Sequence, residues 1–177
     1  MDFEVRQATF EDRDEITRLI AESARRLSRE HYADDQIEAA IASVFGVDTT
    51  LIEDGTYFVA EQDGELIGCG GWSKRKTLYG GDQYSHRDTA MIDPAHEPSR
   101  IRAFFVHPDH ARKGVGRAIL SVCESEAKTH GFGALELLST LPGIKFYEAN
   151  GYSAIGNFDL ELTGGVKVQF VPMRKQL

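Results

Sequence analysis

Apolar residues recur along this 177-residue chain in more than one rhythm, and each rhythm predicts an element. Strict alternation over Phe3-Glu-Val-Arg-Gln-Ala8 predicts a half-buried strand. Thr9-Phe-Glu-Asp12 then resembles a capped helix start, and Ile16, Leu19, Ile20 and Leu27 follow at helical spacing. Ile37, Ala40, Ile41 and Val44 repeat that spacing over residues 33 to 45 and predict a second helix, with a short turn over 47 to 52. Strand-like runs at 56 to 62 and 65 to 73 flank Asp63-Gly64, a strong hairpin signal, and are expected to pair antiparallel.

The second half reads as strand 101 to 107, helix 114 to 130 and strand 133 to 139, a β-α-β unit with a right-handed crossover and parallel strands. A short helix follows, with Pro142 suited to its first turn and Asn150-Gly151 as a left-handed stop. Residues 152 to 162 and 166 to 174 then surround Thr163-Gly164-Gly165 as a second hairpin. The order is mixed α/β, and no linker-like stretch divides residues 1 to 177, which are read as one domain.

Chemistry concentrates where the second-half strand turns into its helix. Arg112-Lys113-Gly114-Val115-Gly116-Arg117 puts two residues without side chains where backbone N–H groups approach a ligand, and the following helix aims its unpaired N–H groups and dipole at the same point. A phosphate or pyrophosphate fits such a cradle. A Walker loop needs Lys-Ser or Lys-Thr after the second glycine, but Arg117 and Ala118 stand there. A dinucleotide fingerprint needs a third glycine where this chain has Ile119.

Taken with Val106-His107-Pro108, the run resembles motif A of the GNAT superfamily of acyl-CoA-dependent N-acyltransferases, with Ala111 at the family's Gln/Arg place and Arg112 one residue later. Ser139-Thr-Leu-Pro-Gly-Ile-Lys-Phe-Tyr-Glu-Ala-Asn-Gly-Tyr152 resembles motif B. The resemblance implies a GNAT acyltransferase fold, a mixed central sheet with a splayed parallel strand pair and flanking helices. It implies acetyl-CoA as co-substrate, with Phe104, Phe105 and Val106 as the strand along pantetheine and Arg112, Lys113, Gly114, Val115, Gly116 and Arg117 as the pyrophosphate loop. The family often has an Asn that contacts CoA seven residues before the motif B tyrosine, and Thr140 occupies that place. By the same resemblance, Tyr147 is the catalytic acid that protonates the departing thiolate, a role a phenol with an ordinary pKa of about 10 can fill at neutral pH.

Composition narrows the alternatives. A formal charge of −8 argues against a nucleic-acid surface, while the basic cluster of Arg112, Lys113 and Arg117 suits a phosphorylated ligand. Cys69 and Cys123 lack paired spacing, and the N-terminus shows no basic-then-apolar segment, so a reducing cytoplasm is expected. No apolar run reaches the ~20 residues needed to span a bilayer. Cys69 reads as a buried strand thiol and Cys123 as core. His107 and His110 lack companion ligands, and no metal is expected.

Residues 74 to 100 form a long polar segment, read as an acceptor-binding flap. Trp72, just before it, reads first as packing at the strand end and second as an acceptor contact. Tyr84, Asp93 and Glu97 within it are candidate acceptor contacts, and Asp93, His96 and Glu97 are candidate bases, with His86 and Asp88 less well placed. A carboxylate, a histidine or an ordered-water path all remain open as the base. The expected activity is acetyl transfer from acetyl-CoA to a primary amine, small-molecule or protein. A non-catalytic acyl-CoA sensor or partner-binding module, and a different phosphate-ligand protein, are the competing readings. The terminal hairpin leaves an edge on which a second copy can pair, and homodimers are common in the family.

Overall fold

A computed structural model describes residues 2 to 177. One eight-stranded sheet runs through them. Strand β1 (Glu4–Gln7) pairs antiparallel with β2 (Tyr57–Gln62), which turns through Asp63 and Gly64 into β3 (Glu65–Ser73). Both turn residues have positive φ, +52° and +81°, matching the primed turns whose twist suits a tight hairpin. β4 (Ser99–Val106) lies antiparallel to β3, and β5 (Ala134–Thr140) is parallel to β4. β8 (Lys167–Gln176) pairs with β5 on one edge and with β6 (Ser153–Ala154) and β7 (Phe158–Glu161) on the other.

Helices α1 (Arg13–Leu27) and α2 (Asp34–Ser43) occupy the positions their periodicity predicts, and the Thr9–Asp12 capping box opens the short 3₁₀ turn before α1. The expected turn over 47 to 52 is a helix, α3 (Thr49–Glu53), because the Asp48 carboxylate accepts from the Thr50 N–H at 3.0 Å. α4 (Val115–Thr129) and α5 (Ile144–Ala149) complete the set.

Residues 152 to 162 are not one strand. They break into β6 and β7 where they face Pro172 of β8, whose carbonyl accepts from the Ile155 N–H at 2.9 Å. Proline has no N–H to return that bond, so the ladder cannot run through.

The glycines of Ile67-Gly-Cys-Gly-Gly-Trp72 have a packing origin. A Cβ on Gly68 would stand 2.7 Å from a Val115 methyl of α4, and one on Gly70 would run into the Phe104 ring. The bare strand therefore lets α4 and the Phe104 side chain close down on the sheet.

Candidate active site

β4 and β5 pair only at Ser99–Leu135 and Arg100–Glu136, and beyond that point no pairing joins them. Ile101–Val106 and Leu137–Thr140 thus flank a gap. A bulge in β4 contributes: the register against β3 slips between Cys69 and Gly71, and Ala103 sits at φ +46°. The His107 N–H donates to Ile67 O of β3 at 2.9 Å, so the preceding amide and carbonyl, those of Val106, turn to the opposite edge and face the gap. Phe104 and Phe105 leave β4 on opposite faces. Phe104 meets Tyr147 of α5 at 6.2 Å between ring centroids, and Phe105 meets Phe45, just past α2, at 5.5 Å.

The gap opens into a cleft of about 610 Å³. At its mouth, α4 begins at Gly114 in the left-handed region (φ +88°) with no side-chain cap. Arg112 is also left-handed, at φ +64°. Left-handed residues alternating with a helix start form a nest of convergent N–H groups, and here the first-turn amides of Val115, Gly116 and Arg117 have no intrahelical acceptors. The side chains of Arg112, Lys113 and Arg117 are exposed and make no ion pair among the described residues. Gly116 has a second reason to lack a side chain, since its Cβ would lie 3.2 Å from the Phe146 ring. An ion pair of Arg26 with Asp109 at 2.6 Å and an approach of 3.5 Å between the Glu22 carboxylate and the His107 ring fasten α1 over the loop that leads into this mouth.

Tyr147 stands on α5 across the gap, buried and lining the cleft. Burial, with a smaller contribution from the Cys123 sulfur, holds its phenol well above the ordinary value. The ring is wedged among Phe104, Phe146 and Tyr152. Of the residues expected to meet the cofactor, Phe104, Phe105, Val106, Arg112, Gly114, Gly116, Arg117 and Thr140 line the same cleft as Tyr147. The Val115 side chain is buried in the core beneath the loop, and Lys113 lies outside the lining.

The expected acceptor contacts are not brought together. Trp72 is fully buried at the far end of β3, where its Nε1 donates to Glu126 at 3.0 Å and its ring packs on Phe132 and His130. The His96 ring and the Asp93 carboxylate meet at 2.7 Å on the surface, and Glu97 lies 3.7 Å from Lys76; none of the three lines the cleft. They precede β4, and the gap opens at its other end, so the chain carries them away from it. Tyr84 touches the cleft only through its neighbour, packing on Tyr79 at 5.3 Å.

The flap does reach the cleft, through Leu78, Tyr79 and Gly80. Its two ends are held together by Arg75–Met91 bridging, and its tip folds back as the Gly81 and Asp82 N–H groups donate to Val44 O and Val47 O. Arg102 and Phe45, which also line the cleft, went unread in the sequence. A charged residue between Ile101 and Ala103, inside a central strand that continues as Phe104-Phe-Val106, was the available signal for Arg102. Cys69 is buried, and burial pushes its thiol up to about 12, which leaves it inert as a nucleophile at neutral pH. Among the described residues no cluster of three or more His, Cys, Asp and Glu is arranged to hold a metal, and no helix is long and apolar enough to cross a membrane.

A mixed sheet opened at a parallel pair, with an anion-receptive helix start at the mouth of the opening, defines the architecture of an acyl-CoA-dependent transferase. The chain belongs to the acetyltransferase (GNAT) family, whose profile matches residues 13–152. Similar solved structures include a GCN5-related N-acetyltransferase from Rhodopseudomonas palustris, at 18% identity and TM-score 0.74 over 100% of this chain and 97% of that one. The PaiA N-acetyltransferase from Thermoplasma acidophilum, in complex with coenzyme A, aligns at 17% identity and TM-score 0.67 over the whole of both chains. The yncA protein of Salmonella typhimurium, with its cofactor acetyl-CoA, aligns at 18% identity and TM-score 0.65 over 100% and 95% of the two chains.

Proposed function

We propose that this chain, as one domain, moves the acetyl group of acetyl-CoA directly to a primary amine. The observation that carries the reading is the splay of β4 from β5 after two residue pairs, in line with the uncapped start of α4 and facing Tyr147. Acetyl-CoA brings an activated thioester; the rest of the chemistry falls to side chains and backbone of this protein. The edge groups of Val106 satisfy the amides of a pantetheine arm as an added strand would, and the nest with Arg112, Lys113 and Arg117 receives the pyrophosphate. A β4 N–H facing the gap polarises the thioester carbonyl as negative charge develops on its oxygen. Tyr147, kept neutral by burial, donates its proton to the departing sulfur. No Asp, Glu or His lines the cleft among the described residues, which favours ordered water as the carrier of the amine proton. Two separate buried thiols support residence in the reducing cytoplasm.

The test is a thermal-shift and calorimetric titration with acetyl-CoA and CoA, run beside ATP and NAD. Ligand at 100 times its dissociation constant adds about 2.7 kcal/mol of stability. A saturating shift with acetyl-CoA and CoA alone is expected; no binding of either withdraws the proposal. Binding without turnover on a broad amine panel points instead to a non-catalytic acyl-CoA sensor.

A further inference from the structure

The face of the gap opposite Tyr147 has its own chemistry. It is walled by Phe45, Leu78, Tyr79, Leu138, Leu160 and Phe170, and Phe45 bridges the splay by packing on Phe105 at 5.5 Å and on Phe170 at 6.1 Å. A polyamine, or any acceptor with a second ammonium, would leave that charge in an apolar wall without an opposite partner, which is costly.

One charged side chain lines this face, and it is a cation. Arg102 leaves the bulged strand with 2% of its side chain exposed. Its Nη1 donates to Thr77 O at 3.3 Å and its Nη2 to Gly80 O at 2.6 Å, with the Asp48 carboxylate 3.1 Å from Nη2. Asp48 does not neutralise it alone, because its other oxygen accepts from Arg87 at 2.6 Å. Asp82, the remaining nearby acid, is 3.6 Å from Arg87 and is itself half exposed to water, with 36% of its side chain accessible. The Arg102 Nε has no acceptor among the described residues. Burial, reinforced by repulsion from Arg87, outweighs Asp48 and holds the guanidinium below its ordinary range, though an arginine stays charged. A buried cation that is under-compensated and lines a cleft gains from an anion delivered by a ligand.

We propose that the acceptor is a small primary amine with an apolar body and a single carboxylate, an apolar α-amino acid or a close relative, whose carboxylate is received by Arg102. The inference rests on the acetyl-transfer reading above. The ammonium first loses a proton to water. Its nitrogen then bonds to the acetyl carbon, the carbon–sulfur bond breaks, the second proton leaves the nitrogen, and the sulfur takes a proton from Tyr147, which is re-protonated from solvent. The products are an N-acetyl amino acid, CoA with its thiol and one released proton. A second carboxylate, as in glutamate, would meet only apolar wall.

The experiment measures kcat/KM with L-phenylalanine and L-leucine against phenylalaninamide, phenethylamine, L-glutamate, L-lysine and spermidine. The carboxylate is expected to raise kcat/KM roughly tenfold to a hundredfold over the amide, the size of a charge-assisted contact left unmade. Because Arg102 also braces the flap, 3-phenylpropionate and 3-phenylpropanamide serve as amine-free competitors of the unaltered protein, and only the carboxylate should inhibit. Arg102→Gln should abolish the acid-over-amide preference while retaining acetyl-CoA affinity. Failure of acetyl-CoA to bind overturns the transferase reading itself. Acetyl-CoA binding with preference for spermidine, lysine or the amides, or with no amino acid turned over, overturns the acceptor assignment alone.

Discussion

The Tyr57 hydroxyl donates to the carbonyl of Ala103 at 2.9 Å, from within the sheet to the left-handed residue of the β4 bulge. The Cys69 thiol reaches the same oxygen only weakly, at 3.8 Å. This bond holds the bulge that separates β4 from β5. Tyr57→Phe leaves a buried carbonyl with the thiol alone, and a loss of about 1–3 kcal/mol is expected in urea unfolding. Turnover should fall with it, while a purely local effect would lower stability and leave turnover unchanged.

Tyr147→Phe removes the proposed proton donor and keeps the ring among Phe104, Phe146 and Tyr152. Turnover is expected to drop roughly 10²- to 10⁴-fold with acetyl-CoA affinity retained. Steady-state kinetics with calorimetry read both quantities. Equal turnover by the two proteins across the pH range would remove Tyr147 from the chemistry.

The three exposed cations at the mouth should act on the ligand through charge. Replacing Arg112, Lys113 and Arg117 together by Gln is expected to weaken acetyl-CoA binding roughly threefold to thirtyfold and to flatten its dependence on salt. Affinity that stays equally salt-sensitive in the variant would assign the pyrophosphate contact to the backbone nest alone.

Alkali should unfold this protein. Burial raises the phenols of Tyr32 and Tyr79 to about 12, raises those of Tyr57, Tyr147 and Tyr152, and lifts the Cys69 thiol to about 12 and that of Cys123 as well. Groups whose folded pKa lies above the unfolded value bind protons more tightly in the folded state. Their contribution is therefore complete below the ordinary thiol and phenol values of 9.0 and 10.0 and fades as pH climbs through the raised ones. Melting temperature is expected to be level up to about pH 9 and to fall steeply toward pH 12. A flat profile to pH 12 would contradict it.

At the acid end, Arg6 holds Asp12, and Arg75 holds Asp54, below the ordinary carboxylate value of 3.8. Their stabilisation is present above that value and is lost as pH falls through the lowered ones. Asp54→Asn should make the melting temperature less sensitive to acid below pH 4, as read by calorimetric scans.

Some of this protein is written locally in its sequence. The Asp63-Gly64 turn, the periodic faces of α1 and α4, the order strand, Gly114-Val-Gly116 turn, helix, and the Phe146-Tyr147 helix closed by Gly151 depend on forces acting within a few residues, so pattern alone determined them. The break at Ile155–Asn157 did not show, because its cause is a proline across the sheet in β8. The acceptor face was hidden for the same reason. Phe45, Tyr79, Arg102 and Phe170 lie in four separate stretches of chain, and Trp72, Asp93 and Glu97, which precede β4 in sequence, end up away from the cleft. Nearness along the chain set the cradle and the tyrosine helix. Only tertiary packing, by bulging β4 and folding the flap tip onto the end of α2, decided which side chains share the opening, since contacts between distant segments leave no period in either one.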